Sequence, residues 1–200
     1  MTDYFALLNV PRRPQIDLEA LKASFHALSA QTHPDRMAAA APAERQQAAD
    51  AYTQLNEAYQ TLKEPKTRLQ LLITLESGRK PGDSQKLPDS LMAMFARIGP
   101  LLRQADALVK LKSNSTSALE RALTMAKALP CLQQINQART QLQQQRDQLT
   151  SALDQLDELW TPTEKIAGEL IIRAEGLYHH FGFLDRWLAQ LQEREFELTL

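Results

Sequence analysis

His33, Pro34 and Asp35 place an imidazole, a rigid ring and a carboxylate side by side. Their chemistry is that of recognition. A carboxylate accepts paired hydrogen bonds from an arginine, proline fixes its own backbone angle, and the imidazole offers hydrogen bonds. Proline also pushes the residue before it out of the helical region, so His33 should end a helix and hold the turn extended. Apolar residues recur at helical spacing on both sides, from Leu18 to Leu28 and from Ala48 to Leu62. The three residues are therefore expected at the exposed tip of a helical hairpin, where a partner can read them. By itself such a tripeptide recurs by chance; its flanks give it meaning.

Other reactive side chains are not grouped for chemistry. His179 and His180 are neighbours, about a quarter-turn apart on a helix, so they do not chelate one metal as residues four apart would. They are expected on an outer, polar side. Asp154, Asp157 and Glu158 have the look of a solvated helix flank. There is no glycine-rich phosphate loop, no nucleophile elbow and no pair of carboxylates in an apolar setting. Cys131 is the single cysteine, which excludes a disulfide framework and a thiolate cluster and suits a reducing compartment. The expectation is a protein that is not an enzyme and has no metal or other cofactor.

Bulk properties narrow the partners. The chain has 200 residues, 44% hydrophobic and 24% charged, with a net charge of −1. Residues 1–80 carry 10 basic and 9 acidic groups and residues 81–200 carry 13 and 15, so neither part shows the basic excess of a nucleic-acid binder. No apolar run has transmembrane length, and Met-Thr-Asp-Tyr is not the basic start of a signal peptide. Cytoplasm, no nucleic acid and no membrane are the expectations.

Six glycines among abundant Ala, Leu and Gln predict an all-α fold. Asp17 can cap a helix with Ala20, Leu21, Ser24, Phe25 and Leu28 inward. Small residues from Met37 to Pro42 read as a loop. The next helix carries Ala48, Ala51, Tyr52, Leu55, Ala58, Tyr59 and Leu62 on one stripe. Glu64-Pro65 breaks it, and a short helix follows with Leu69, Leu72 and Ile73. Gly78 to Pro88 reads as a linker. Asp89 or Ser90 can cap a helix carrying Leu91, Phe95, Ile98, Leu102 and Ala105, which Gly99-Pro100 should kink or divide. Ser117 and Glu120 form a capping box for a helix expected to end before Pro130. Ile135, Leu142, Leu149 and Leu156 then repeat every seven residues, with Leu153 and Trp160 beside them. Leu170, Leu177, Leu184 and Leu191 repeat at the same step, with Ala174, Phe181 and Leu188 between. Pro162, between two threonines, can open that second helix. Two such stripes predict an antiparallel hairpin, with the glutamines from Gln133 to Gln148 on the solvated side. The stripes could alternatively mediate dimers; since each can satisfy the other, a monomer or weak dimer is expected.

The amino-terminal pattern resembles a J-domain. Asp3-Tyr4-Phe5 is followed by Leu7, Leu8, Val10 and Pro11, then Leu21, Phe25 and Leu28, then the His33-Pro34-Asp35 turn. Leu55-Asn56-Glu57-Ala58-Tyr59-Gln60-Thr61-Leu62 comes next, closing with Pro65, Arg68 and Leu71-Leu72. The lead-in and this ending are similar to the HscB family of iron–sulfur co-chaperones more than to a general DnaJ. The resemblance implies a J-domain over residues 1–76, a linker over 77–88 and a client-binding helical bundle over 89–200. It implies that His33, Pro34 and Asp35 dock on a DnaK/HscA-type ATPase, with basic support from Lys22, His26 and Arg36. Arg36 stands where the family usually has lysine, Thr32 where it usually has tyrosine, and the basic face is thin. Lys22 also reads as a merely solvated residue. Arg68 is expected to be structural.

The resemblance further implies an apolar patch of Leu91, Met92, Phe95 and Phe183 that holds an IscU-like scaffold, with Phe183-Leu184-Asp185-Arg186 similar to the family's Phe-Leu-Asp-Lys. On residue pattern alone, a Leu/Met/Phe stripe suits a core better than a surface. The chain departs from the family in having Ala93 and Ala96 where acidic residues are usual, in Gly99-Pro100, and in a longer helical region around Gln133 to Thr150. The implied function is a co-chaperone that stimulates the chaperone's ATPase and delivers an IscU-like client. Two alternatives stay open: a J-domain co-chaperone for another client, and a helical adaptor that has lost chaperone stimulation.

Overall fold

The computed structural model describes residues 2–32, 41–82, 88–161 and 168–199, and every regular element among them is helical. The helices are α1 (Tyr4–Leu7), α2 (Leu18–Thr32), α3 (Pro42–Lys63), α4 (Pro65–Ser77), α5 (Met92–Ser113), α6 (Ala118–Glu158) and α7 (Gly168–Thr199), with a 3-10 turn at Asp89–Leu91 before α5. They group into two compact units. One holds residues 1–82 with 151–179, the other 83–150 with 180–200. This grouping differs from a single cut at 77–88, because α6 and α7 each give residues to both units.

In the first unit, the side chain of Asp3 caps α1 by accepting from the N–H groups of Phe5 at 3.0 Å and Ala6 at 3.3 Å. Asp17 caps α2 in the same way through Glu19 N–H at 2.9 Å and Ala20 N–H at 3.2 Å. Helix α2 packs on α3, with Phe25 stacked on Tyr59 at 4.6 Å between ring centroids. The inward face of α2 is Leu21, Ser24, Phe25, Leu28 and Ser29, whereas Ala20 lies exposed. On α3 the buried stripe is Ala48, Leu55, Ala58 and Leu62, as its spacing predicts. Glu64 is extended before Pro65, and α4 buries Leu69, Leu71, Leu72 and Ile73. Gly78 ends α4 with φ 73°, a left-handed conformation that costs glycine little. The loop expected from Met37 to Pro42 lies mostly outside the described residues, as does Pro162.

Arg68 is buried on α4. Its guanidinium donates to the carbonyl oxygens of Pro14 at 2.8 Å and Leu62 at 2.6 Å, and to Gln15 Oε1 at 3.2 Å. Burial lowers its pKa to about 10, so it remains charged at neutral pH. The sequence reading of Asp157 as a solvated flank is corrected. Its carboxylate accepts from Arg13 Nη2 at 2.6 Å, Arg13 Nε at 3.1 Å and the Gln15 N–H at 3.0 Å. Asp154 accepts from Gln15 Nε2 at 2.9 Å. The segment before α2 is thus held from α4 on one side and from α6 on the other.

The second unit is a three-helix bundle. Arg139 of α6 pairs with Glu195 of α7, and Arg146 pairs with Asp185 at 3.1 Å, so numbers rise on one helix as they fall on the other. That is the antiparallel arrangement the repeats predict. Ser90 meets His180 at 3.1 Å and Lys112 donates to the Leu198 carbonyl at 2.9 Å, so α5 runs the same way as α7. Leu91, Ile98, Leu101, Ala105, Ala128, Cys131, Ile135, Leu142, Leu184, Trp187, Leu191 and Leu198 form the core. Burial pushes the Cys131 thiol pKa up, the environment of an inert structural cysteine. The capping box is present: Glu120 N–H donates to Ser117 Oγ at 3.1 Å and Ser117 N–H to Glu120 Oε2 at 3.0 Å.

Three expectations about helix ends are corrected: a division at Gly99-Pro100, an end before Pro130 and a side-chain cap on α5. Helix α5 continues through Gly99-Pro100 and α6 continues through Pro130. An interior proline costs about 3 kcal/mol. Against that, Ile98, Leu101, Ala128, Cys131 and Ile135 are buried around these prolines, at roughly 1.5–3 kcal/mol for each large apolar side chain. Burial outweighs the break. Neither Asp89 nor Ser90 caps α5 through its side chain; a 3-10 turn leads in, closed by Leu91 N–H to the Pro88 carbonyl at 2.9 Å.

Arg68→Met should lower unfolding free energy by about 2–5 kcal/mol, because it removes the donor from buried carbonyl oxygens. Urea denaturation checks this: the midpoint should fall with the slope unchanged.

Candidate functional site: an exposed helix face and an aromatic patch

Helix α2 has a dry side and a wet side. Leu21 and Ser29 are buried and Ser24 Oγ donates to the Leu8 carbonyl at 2.5 Å, which fixes the rotation of the helix. Lys22 and His26 are one turn apart and both exposed, so they share the outward face. Thr32 closes the helix with its hydroxyl bonded to the Leu28 carbonyl at 3.4 Å. His33, Pro34, Asp35 and Arg36 lie outside the described residues. What the structure brings together is therefore Lys22 with His26, on the helix that runs to Thr32.

The patch expected on the second unit divides. Leu91 is 2% exposed and sits in the bundle core, so its assignment to a binding surface is corrected. Met92 and Phe95 are 54% and 55% exposed. A one-residue step along a helix turns the side chain by about 100°, enough to separate Leu91 from Met92. Phe183 is half-buried on α7. Between Phe95 and Phe183 lies Trp187, which sequence reasoning missed. Its ring centroid is 6.3 Å from that of Phe95 and 6.2 Å from that of Phe183. These offset, tilted rings are a favourable aromatic arrangement. The available signal was spacing, since Trp187 stands four residues after Phe183 and so one turn along the same face.

Each residue of Phe183-Leu184-Asp185-Arg186 has a separate task. Phe183 faces the aromatic patch, Leu184 fills the core, and Asp185 accepts from Arg146 Nε at 3.1 Å. Arg186 lies 5.8 Å over the Phe183 ring, a cation–π contact at the patch edge. Ala93 and Ala96 beside the patch are exposed and uncharged. The result is an apolar surface with an adaptable methionine, suited to binding a protein and lacking groups for covalent chemistry.

His179 and His180 are half-buried, not outward as expected; His180 meets Ser90, and His179 lies edge-on to Tyr178 at 5.1 Å. Among the described residues no group of three His, Cys, Asp or Glu side chains could hold a metal, and no helix is long and apolar enough to cross a membrane.

A scan against protein-family models matches the DnaJ domain to residues 3–71. This chain carries a J-domain. Among curated proteins it is 41% identical over 95 residues to the co-chaperone protein HscB homolog of Chromobacterium violaceum, covering 46% of this chain and 54% of that protein. It is 35% identical over 92 residues to the co-chaperone protein HscB of Proteus mirabilis, covering 46% and 53%. The chain spans about half the length of the curated relatives it matches. In fold the likeness is wider. The chaperone HscB of Vibrio cholerae matches with a TM-score of 0.62 at 21% identity, over 98% of this chain and 99% of that one. Human co-chaperone protein HscB matches with a TM-score of 0.59 at 16% identity, over 98% and 81%. The chain thus has an HscB-like fold, all-helical among the described residues, with long carboxy-terminal helices.

Leu91→Ser should cost about 3 kcal/mol through lost burial, whereas Phe95→Ser should change stability by less than about 1 kcal/mol. Thermal melts of the two variants side by side check which residue is core and which is surface.

Proposed function

We propose that this J-domain protein is a co-chaperone that stimulates the ATPase of a DnaK/HscA-type chaperone and delivers a client to it. The observation that carries the reading is the DnaJ-domain match over residues 3–71, which includes the His33-Pro34-Asp35 turn and the helix bearing Lys22 and His26. In this reading Asp35 offers its carboxylate to an arginine of the chaperone in charge-assisted geometry. Pro34 stiffens the turn and His33 adds hydrogen bonds. Lys22, His26 and Arg36 meet an acidic face and steer the encounter. The protein does no chemistry itself. It favours one conformation of the ATPase, which is allosteric coupling across an interface.

The client we propose is an IscU-like iron–sulfur scaffold, held by Met92, Phe95 and Phe183 with Trp187 beneath. HscB-like fold over nearly the full length supports this choice. Carrying client site and J-domain on one chain raises the local concentration of client at the chaperone. A different client is favoured by one feature, the exposed alanines Ala93 and Ala96 in place of acidic neighbours.

In single-turnover assays with a DnaK/HscA-type chaperone, the unaltered protein should accelerate ATP hydrolysis and His33→Gln should abolish the effect. Absence of stimulation by the unaltered protein would favour a helical adaptor. Calorimetry with an IscU-type scaffold should show binding that Phe95→Ser and Phe183→Ser each weaken at least about tenfold; no binding by the unaltered protein would point to another client.

A further inference from the structure

Helix α6 is apolar on two opposite sides over its first turns. One side packs Thr124, Ala128, Cys131 and Ile135 into the bundle. The other carries Leu119, Ala122, Leu123, Ala126, Leu129 and Pro130, all exposed, with Leu119 at 70% and Leu129 at 60%. These residues recur at steps of three and four and make one stripe about three turns long. Beyond Pro130 the same side turns to Gln133 and Gln137, both exposed, so the stripe has a definite end. An apolar stripe rimmed by polar residues marks a contact surface.

The charges beside the stripe say what would cover it. Glu120 and Lys127 lie seven residues apart and therefore flank the same edge, and both are exposed. A two-fold axis across the helix lays the stripe on its own copy, antiparallel, with each edge meeting the same edge of the other copy. Glu120 of one chain then faces Lys127 of the second, and the reverse pair forms by symmetry. Backbone hydrogen bonds from Ser117 and Thr116 hold the Glu120 carboxyl below its usual range, so its charge persists near neutral pH.

We propose that residues 119–130 of α6 form a self-association surface, whose occupant is the same stripe of a second copy in antiparallel pairing. The stripe is short against the roughly 800 Å² per partner of a standard interface, so the dimer should be weak, with a dissociation constant on the order of 100 µM. The stripe shares no residue with the aromatic patch.

Sedimentation velocity on the full chain, from about 10 µM to about 1 mM, should show a reversible monomer–dimer equilibrium. Leu123→Asp, at an exposed site, should leave helix content unchanged and remove the dimer. Lys127→Glu and Glu120→Lys should each weaken association by about tenfold, and an equal mixture of the two should recover it, since an all-acidic edge then meets an all-basic one. Circular dichroism on Glu120→Lys verifies that loss of its capping box leaves α6 helical. The proposal is overturned by a chain that stays monomeric throughout, by a dimer that survives Leu123→Asp, or by a mixture no tighter than its separate components.

Discussion

Arg68 keeps a positive charge where there is almost no water, because the carbonyl oxygens of Pro14 and Leu62 and the side-chain oxygen of Gln15 accept hydrogen bonds from its guanidinium. Those acceptors come from the segment before α2 and from the end of α3. Filling them therefore fixes where α2 starts and how α3 gives way to α4. Asp157 completes the arrangement by accepting from Arg13 and Gln15 of the same segment. Asp17 follows at once as the α2 cap, and the rotation of the helix that exposes Lys22 and His26 is then set by Leu21, Ser24 and Ser29. A guanidinium and a carboxylate outside α2 thus help decide which side of it faces solvent.

In the other unit the governing constraint is burial along α6. Ile135 and Leu142 must meet Leu184 and Leu191 in one register, and Arg146–Asp185 and Arg139–Glu195 agree with it. The same register puts Leu91 inward and places Phe95 beside Trp187 and Phe183. Exposed patch and core are here adjacent residues of one helix turn. This is why a substitution meant to probe the patch at Leu91 would report on stability instead.

Much of the fold was legible because its signals are local. Asp17, Ser117 with Glu120, and Glu64-Pro65 act within a turn of themselves, and the leucine period names the buried edge of each long helix. Gly99-Pro100 and Pro130 misled because a local break competes with burial contributed by the other helices, a sum no short window contains. Asp157 misled for a related reason: its partners are Arg13 and Gln15, more than 140 residues away. Trp187 was within reach of spacing, yet only its rings' distances to Phe95 and Phe183 give it a role.

By itself the sequence determined the helical class and the J-domain pattern, because backbone preference and amphipathic period are properties of neighbouring residues. Tertiary structure decided that two proline-containing helices stay whole, that Leu91 belongs to the core, and that Asp157 holds the segment before α2. It also decided that α6 shows an apolar side to solvent. The physical reason is common to all four: burial is settled by what packs opposite a residue, and that lies elsewhere in the chain.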